Sequence, residues 1–537
     1  MSESGLKICI VGGGAAGLAV AKVIKETEQS KSGLWTVHVF EERQDIGGTW
    51  LSAPATDKNV PPPTPMYDSI ITNLPHPIMC YQSYWFPPST PLFPKAGIVQ
   101  DYLQAYAKEF DLMPHVNLST SITSAVWTGN KWNVTAHGTS TSTGSEVTLE
   151  FDRLIVANGH YRVPFFPSLP GLDSWRAKDR VTHSAWYRHP VPVGDKVLVI
   201  GGGYSGIDIA EEMSSVCKTL IHAAPHSVAV SHGNIVVHDS PAVRLSEFDA
   251  DTNSEPERVV YFDDGSTESG IDHIFLATGY SLSFPFLKSP QLLVTPPSEP
   301  IHPSSPSDPL PEHLHNCEHH LFPLAQFLFP ICQDFPPESA AFVGLPVRVA
   351  PLPLFEAQAR AIVKVFSDPS ALHVPTEIQR IHERLASIRS DPDIIPPEPN
   401  SNEHSIIAHY WHTFKGREQF IYRDTLHAFS GLTGDEWKVP EWVMESYENM
   451  VEMRKLWKEI VEKGEDEKWC KGVGEKSGEE GKEEWVEVMR KLLEMIRERK
   501  EADGNADKLN GPAPEVEPEK VVWNSFPNSG CRLSGGK

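Results

Sequence analysis

The chain has 537 residues, 40% hydrophobic and 22% charged, enough for two to four globular domains with substantial cores. Its formal net charge of -24 argues against a nucleic-acid partner, which needs clustered Lys and Arg, and against electrostatic attachment to an anionic membrane. Seven scattered cysteines form no C-x-x-C pair, so free thiols in a reducing, cytoplasmic setting are expected. No apolar run reaches the roughly 18 residues of a membrane span.

Residues 7–11 predict a short apolar strand, 12–17 a tight turn, 18–25 a helix, and 36–40 a second strand ending at Glu41. The Pro-rich stretch 54–94 predicts an ordered excursion over the core. A helix at 97–110, antiparallel strands at 126–134 and 146–151, and a buried strand at 154–157 follow. A second βαβ unit starts at Lys196, with a strand at 197–200, a turn at 201–206 and a helix from 207; a hairpin around Asp263-Asp264-Gly265 and a strand at 274–277 close it. Residues 290–311, rich in Pro and Ser, predict an exposed loop. Residues 343–344 and 355–365 predict a strand and a long helix. From Glu441 the composition shifts to Glu, Lys and Trp, with Trp485, Met489, Leu492 and Ile496 at helical spacing. This appendix is expected to dock on its own domain, a partner-binding helix being the alternative, and the tail after Ala502 is expected to be disordered. The expected fold is α/β, with two Rossmann-like dinucleotide-binding domains, the second inserted in the first. The expected division is 1–190, an insert at 191–290, a return at 291–440, and a charged helical appendix at 441–537.

Two motifs carry the chemistry. Gly12-x-Gly14-x-x-Gly17 sits after a strand and opens a helix, where Gly12 permits the turn, Gly14 lets backbone approach a pyrophosphate and Gly17 lets helix and strand pack. The N–H groups that follow, at Ala15 and Ala16, face phosphate with the positive end of the helix. Glu41 is placed for ribose hydroxyls and repels a 2'-phosphate, which fits FAD or NAD. Gly201-x-Gly203-x-x-Gly206 repeats the arrangement, with Ser205 expected to cap the helix and touch phosphate. Two such units imply two dinucleotides between which a hydride passes.

With these segments the chain resembles the flavin-containing monooxygenase family over residues 5 to 430. Ile46-Gly47-Gly48-Thr49-Trp50 is similar to the family's Gly-Gly-x-Trp segment beside the flavin, and Thr72-Asn73-Leu74-Pro75 to its Thr-Asn segment. Ala277-Thr278-Gly279-Tyr280, with Phe284-Pro285-Phe286-Leu287, matches its closing Ala-Thr-Gly-Tyr segment, and Glu356-Ala357-Gln358-Ala359-Arg360 its returning helix. The chain departs from the pattern at the identifying motif Phe-x-Gly-x-x-x-His-x-x-x-Tyr. His183 and Tyr187 are kept, but Ala177 and Asp179 replace Phe and Gly. The Arg expected after the second unit's second strand is also missing from Leu220-Ile221-His222-Ala223-Ala224-Pro225.

The resemblance implies FAD in the outer domain, reduced by NADPH in the insert, with NADH or mixed use left open by the missing Arg. It implies addition of O2 at flavin C4a, the hydroperoxide then oxygenating a soft nitrogen or sulfur of a small molecule. Gly12, Gly14, Ala15, Ala16, Gly17, Glu41, Gly48, Thr49 and Trp50 would line the flavin site, and Gly201, Gly203, Ser205, Gly206, Thr278 and Gly279 the nicotinamide side. Asn73 is assigned a polar role near the flavin, its alternative being a turn-capping Asn. His183 and Tyr187 are assigned to cofactor positioning, the alternative being interdomain packing. His313, His315, Cys317, His319 and His320 are of metal-ligand type, yet their Pro-rich flank predicts an exposed polar segment and no metal. A flavin disulfide reductase needs a dithiol that this chain lacks. The alternatives are a Baeyer–Villiger or N-hydroxylating relative and a non-catalytic dinucleotide-binding protein.

Overall fold

The computed structural model describes residues 5–57, 60–138, 146–225, 227–248, 257–397, 401–476 and 478–509, with side chains to 502 in the last segment. The chain starts with β1 (Leu6–Val11), α1 (Ala15–Lys25), α2 (Glu28–Lys31) and β2 (Trp35–Phe40). The excursion that follows carries α3 (His76–Met79) and leads into α4 (Ala96–Glu109), β3 (Val116–Asn117), the meander β4 (Thr120–Trp127), β5 (Trp132–Gly138) and β6 (Glu146–Phe151), and then β7 (Arg153–Val156). The single strand expected over 126–134 is instead a β4–β5 hairpin. Its turn is bridged by Thr128 N–H to the Lys131 carbonyl at 2.8 Å, with Gly129 at φ +99, a conformation that glycine adopts without strain.

β8 (Val163–Pro164) leads into the second unit: α5 (Leu172–Ala177), β9 (Val181–His183), β10 (Lys196–Ile200), α6 (Tyr204–Ser214), β11 (Thr219–Ala223) and β12 (Ile235–His238). A small antiparallel sheet of β13 (Ala242–Leu245), β14 (Val260–Phe262) and β15 (Thr267–Glu268) precedes β16 (His273–Leu276), and β17 (Tyr280–Ser281) leaves the unit. The sheet is parallel, in the order β12-β11-β10-β16-β9. Its edge strand β9 therefore comes from residues ahead of 191, where the insert was expected to start. Apolar runs such as KVLVI in β10 suit parallel strands covered on both faces.

The returning chain forms β18 (Leu293–Val294), β19 (His315–Asn316), β20 (Leu321–Phe322), the hairpin β21 (Leu324–Ala325) and β22 (Phe329–Pro330), and β23 (Ala340–Phe342). β23 completes the first parallel sheet, β23-β7-β1-β2-β3. Helices α7 (Pro351–Ser367), α8 (Val374–Ser390), α9 (Glu403–Tyr410) and α10 (Glu418–Phe429) follow. α1 and α7 cover one face of this sheet through Val20, Ile24, Ala357, Ile362 and Val365.

The appendix is α11 (Glu441–Glu448), α12 (Met450–Glu462), α13 (Asp466–Cys470) and α14 (Glu479–Leu509). It docks on the excursion and α4. Trp485, Met489, Leu492 and Ile496 are buried in one core with Phe86, Tyr102 and Tyr106, and Trp485 meets His76 edge-on at 4.3 Å. The helix runs past the expected order boundary to Leu509; residues 510–537, with Cys531, lie outside the described residues. No helix among the described residues is long and apolar enough to cross a membrane.

Candidate active site: two glycine turns and the hinge between them

Both turns stand at the carboxyl ends of their parallel strands, the edge where open α/β sheets bind ligands. In the first, Val11 is in register with Phe40 and Val156, so Gly12, Glu41 and Ala157 emerge together. Gly12 has φ +107, and a Cβ on it would overlap the Ala157 carbonyl oxygen. A Cβ on Gly17 would overlap the Gly12 carbonyl oxygen, so helix and strand are as close as backbones allow. Gly14 is the N-cap of α1, without a side-chain cap and without an acidic residue in the first turn. The N–H groups of Ala15, Ala16 and Gly17 thus open an uncapped, positively polarised helix end.

A second glycine pair closes over this turn. Gly47 N–H donates to the Gly13 carbonyl at 3.0 Å, and Gly48, with φ +56, faces Gly14 so tightly that a Cβ on it would lie 2.8 Å from the Gly14 Cα. Arg43 holds the Gly48–Trp50 turn by donating to the carbonyls of Gly48, Leu51 and Ser52 at 3.1, 2.6 and 3.0 Å. Thr49 accepts on its carbonyl from Thr64 Oγ1, and Trp50 is half-buried. Glu41 is buried; its carboxylate accepts from Gly13 N–H at 2.7 Å and Arg43 N–H at 2.9 Å. Burial raises its pKa, those two N–H bonds opposing the shift. Arg43 and Gln100, which donates to the Ile46 carbonyl at 2.7 Å, are not signalled by the sequence; the pairing of Arg43 with the segment it staples has no local signature.

The second turn repeats the geometry. Ile200 is in register with Ala223 and Leu276. Gly201 has φ +130, a Cβ on Gly206 would overlap its carbonyl oxygen, and that oxygen lies 2.8 Å from His222 Nε2. The N-cap of α6 is Gly203, with no side-chain cap; Ser205 lies in the first turn and not at the cap expected for it, because the glycine already supplies the extended entry into the helix.

Two strands in antiparallel register, Pro164 with Tyr280, join the units as a hinge. Thr278 Oγ1 donates to the Phe165 carbonyl at 2.7 Å, Phe165 N–H donates to the Gly279 carbonyl at 2.8 Å, and Gly279 has φ +87. His183, in register with Leu276, is buried beside Phe166 and Tyr280. Its Nδ1 accepts from Ala185 N–H at 3.1 Å, and burial pushes its pKa down to about 3, with the Gly279 and Phe165 backbone opposing. Tyr187 donates its hydroxyl to Glu212 of α6 and packs edge-on against Tyr67 and Phe275. Asn73 is exposed and makes no side-chain hydrogen bond to the described residues; its neighbour Thr72 bonds the Leu74 carbonyl. A cavity of about 890 Å³ beside the hinge is lined by Phe165, Phe166, Ser283, Phe284, Leu287 and Asn316 among others. None of the residues of the two glycine turns lines it.

The expected exposed segment at 313–320 is partly buried, as are His302 and Pro303 within the loop expected at 290–311. β19 and β20 fold Cys317 and His320 inward, where Cys317 Sγ lies 2.7 Å from His320 Nδ1 and His320 Nε2 lies 2.8 Å from His302 Nε2. The apolar neighbours Leu314, Leu321 and Phe322, all fully buried, pull the polar residues between them inside. Among the described residues no group of three or more His, Cys, Asp or Glu side chains is arranged to hold a metal ion.

The family model described as "Flavin-binding monooxygenase-like" matches residues 5–235 and 247–296. The chain belongs to this family. Its members are FAD- and NADPH-dependent oxidoreductases, and the two uncapped glycine turns fit such dinucleotides. Among flavin-binding monooxygenases, the chain is 29% identical to "Thiol-specific monooxygenase" of Saccharomyces cerevisiae over 367 residues, 67% of this chain and 77% of that one. It is 28% identical to "Flavin-containing monooxygenase FMO GS-OX-like 4" of Arabidopsis thaliana over 477 residues, 82% of this chain and 90% of that one. The solved S-allyl-L-cysteine S-oxygenase from Allium sativum superposes with a TM-score of 0.64 at 26% identity, over 84% of this chain and 93% of that one.

Proposed function

We propose that this flavin-binding monooxygenase uses NADPH and O2 to oxygenate the sulfur of a small thiol or sulfide, a soft amine nitrogen being the next class to test. The observation that carries the reading is the pairing of two uncapped glycine turns across one hinge in a chain similar to sulfur-oxygenating relatives.

Gly12, Gly14, Gly17 and the N–H groups of Ala15 and Ala16 would hold the pyrophosphate of FAD, and Glu41 would accept from its ribose hydroxyls. Gly48, Thr49 and Trp50, held by Arg43, would flank the flavin. Gly201, Gly203, Ser205 and Gly206 would hold the nicotinamide dinucleotide, with Thr278 and Gly279 fixing the hinge. When bound, reduced flavin supplies the activation of oxygen. The protein's own part is then to orient the nicotinamide, exclude water and offer polar groups where charge develops. Asn73, with its amide unengaged by the described residues, is the proposed donor beside the flavin. His183 stays neutral through the working pH range; because its Nδ1 accepts from Ala185 N–H, its proton sits on Nε2, which has no partner among the described residues and would serve as a donor to a bound cofactor and not as a proton shuttle. Tyr187 positions α6 through Glu212.

The test is product analysis under ¹⁸O2 with NADPH, and separately NADH, against a thiol, a dialkyl sulfide, a tertiary amine and a cyclic ketone. One labelled oxygen on sulfur, read on the sulfide as sulfoxide and on the thiol as sulfenic acid trapped before it condenses to disulfide, supports the reading. Label in an ester from the ketone replaces it with Baeyer–Villiger chemistry, and no labelled product from any probe removes it.

A further inference from the structure

The appendix lies beyond the residues matched by the family model, which end at 296, yet it reaches the second glycine turn. α12 is fixed from below: Met453, Leu456, Trp457 and Ile460 are buried in the core that holds Tyr102 and Phe86. From its other side Arg454 extends to α6, donating to both Asp208 carboxylate oxygens at 3.2 Å. The guanidinium also stands 5.3 Å from the ring centroid of Tyr204, the first residue of α6 after Gly203. Arg454 and Asp208 are each only 19% exposed. The exposed pairs elsewhere on the appendix, such as Arg497–Glu445, belong to a class that contributes little.

The same face of α6 is gripped by other segments of the first unit. Asp208 accepts the Tyr67 hydroxyl at 2.6 Å, and Glu212, one turn on, accepts from Ser69 and Tyr187. Two carboxylates on one helix thus collect four donors: two from the excursion, one from the segment entering the insert, and one from the appendix.

We infer that Arg454 is a positioning residue for the reaction: it braces α6, through Asp208 and Tyr204, against the appendix. In doing so it sets the angle at which the nicotinamide dinucleotide on the second glycine turn meets the flavin. The inference rests on the reading that the second turn takes that dinucleotide. Hydride transfer depends steeply on placement, a misplacement of about 1 Å costing on the order of a hundredfold, so a brace on the helix that opens the site acts on rate more than on affinity. Lysine would keep the charge but lose the planar fork that spans carboxylate and ring.

The experiment uses the FAD-loaded full chain as wild type, Arg454→Met, Arg454→Lys, and the control Arg497→Met. Anaerobic flavin reduction is followed across an NADPH series, and amide exchange of residues 204–214 by mass spectrometry. Arg454→Met is expected to lower the limiting reduction rate about tenfold while the NADPH Kd moves less than about threefold. FAD content stays that of the wild type, α6 exchanges faster, and Arg454→Lys recovers part of the rate. Arg497→Met changes none of these. A limiting rate within about twofold of wild type, or a lowered rate with α6 exchange unchanged, overturns the inference. A wild type that neither NADPH nor NADH reduces overturns the nucleotide reading instead, and α6 exchange then still decides whether Arg454 braces the helix.

Discussion

Gly48 and Gly14 face each other backbone to backbone, so that a Cβ on Gly48 would lie 2.8 Å from the Gly14 Cα. One glycine belongs to the turn that opens α1 and the other to the segment stapled by Arg43, and their contact closes the turn proposed to hold the FAD pyrophosphate against the segment beside it. Gly48→Ala adds that clash to a strained φ of +56, a conformation costing on the order of 1–3 kcal/mol for a non-glycine residue. FAD affinity should fall roughly tenfold or more, since 1.4 kcal/mol is a factor of ten. Flavin absorbance per chain after dialysis at low protein concentration checks this; full occupancy would contradict it.

The two turns should fail separately. Gly17→Ala forces a methyl onto the Gly12 carbonyl and Gly206→Ala forces one onto the Gly201 carbonyl. The first is expected to yield protein without flavin. The second is expected to yield yellow protein that dithionite reduces and NADPH does not. Flavin spectra with the two reductants separate these outcomes, and flavin loss from Gly206→Ala would deny the assignment of turns to cofactors.

Trp485 carries much of the docking of the appendix. It is 1% exposed and meets His76, so Trp485→Ala should cost about 3–5 kcal/mol of local stability. Arg490→Ala, on the exposed face with its partner Glu483, should stay within about 0.5 kcal/mol. Limited proteolysis is the readout: cleavage between 441 and 509 should accelerate in the Trp485 variant alone.

Acid should destabilise the protein through buried histidines. Burial pushes His76, His183, His302 and His412 down to about 3, 3, 2 and 3. Each is neutral in the fold, whereas the unfolded chain takes up its proton near pH 6.5. Their contribution is therefore complete above about pH 6.5 and is lost as pH falls toward 3, each at up to about 1.4 kcal/mol per pH unit. The unfolding midpoint in urea should drop steeply between pH 6.5 and 4.5; a flat profile there would contradict the burial of these rings as neutral groups.

The glycine turns were legible because their requirement is local. A positive φ and a backbone contact at Gly12 or Gly201 leave only glycine, and the flanking apolar runs announce parallel strands. The Trp485 stripe was legible by periodicity. The hairpin at Gly129 was read through because apolar residues continue on both sides of the turn. Cys317 and His320 were misplaced because composition says nothing of the buried leucines on either side that fold them inward. The Arg454–Asp208 pair, 246 residues apart, has no local trace at all, since neither residue has a partner requirement that its own neighbours could reveal.

The central claim is that flavin and nicotinamide sites cooperate to oxygenate a substrate. Its most direct test is to reduce the FAD-loaded protein anaerobically with NADPH, mix it with O2, and follow the flavin spectrum with and without a thiol. Bleaching by NADPH is expected, then a persistent species distinct from both oxidised and reduced flavin, whose decay the thiol accelerates with one sulfur oxygenated per NADPH. No bleaching, or an immediate return to oxidised flavin with stoichiometric hydrogen peroxide and no sulfur product, would contradict it.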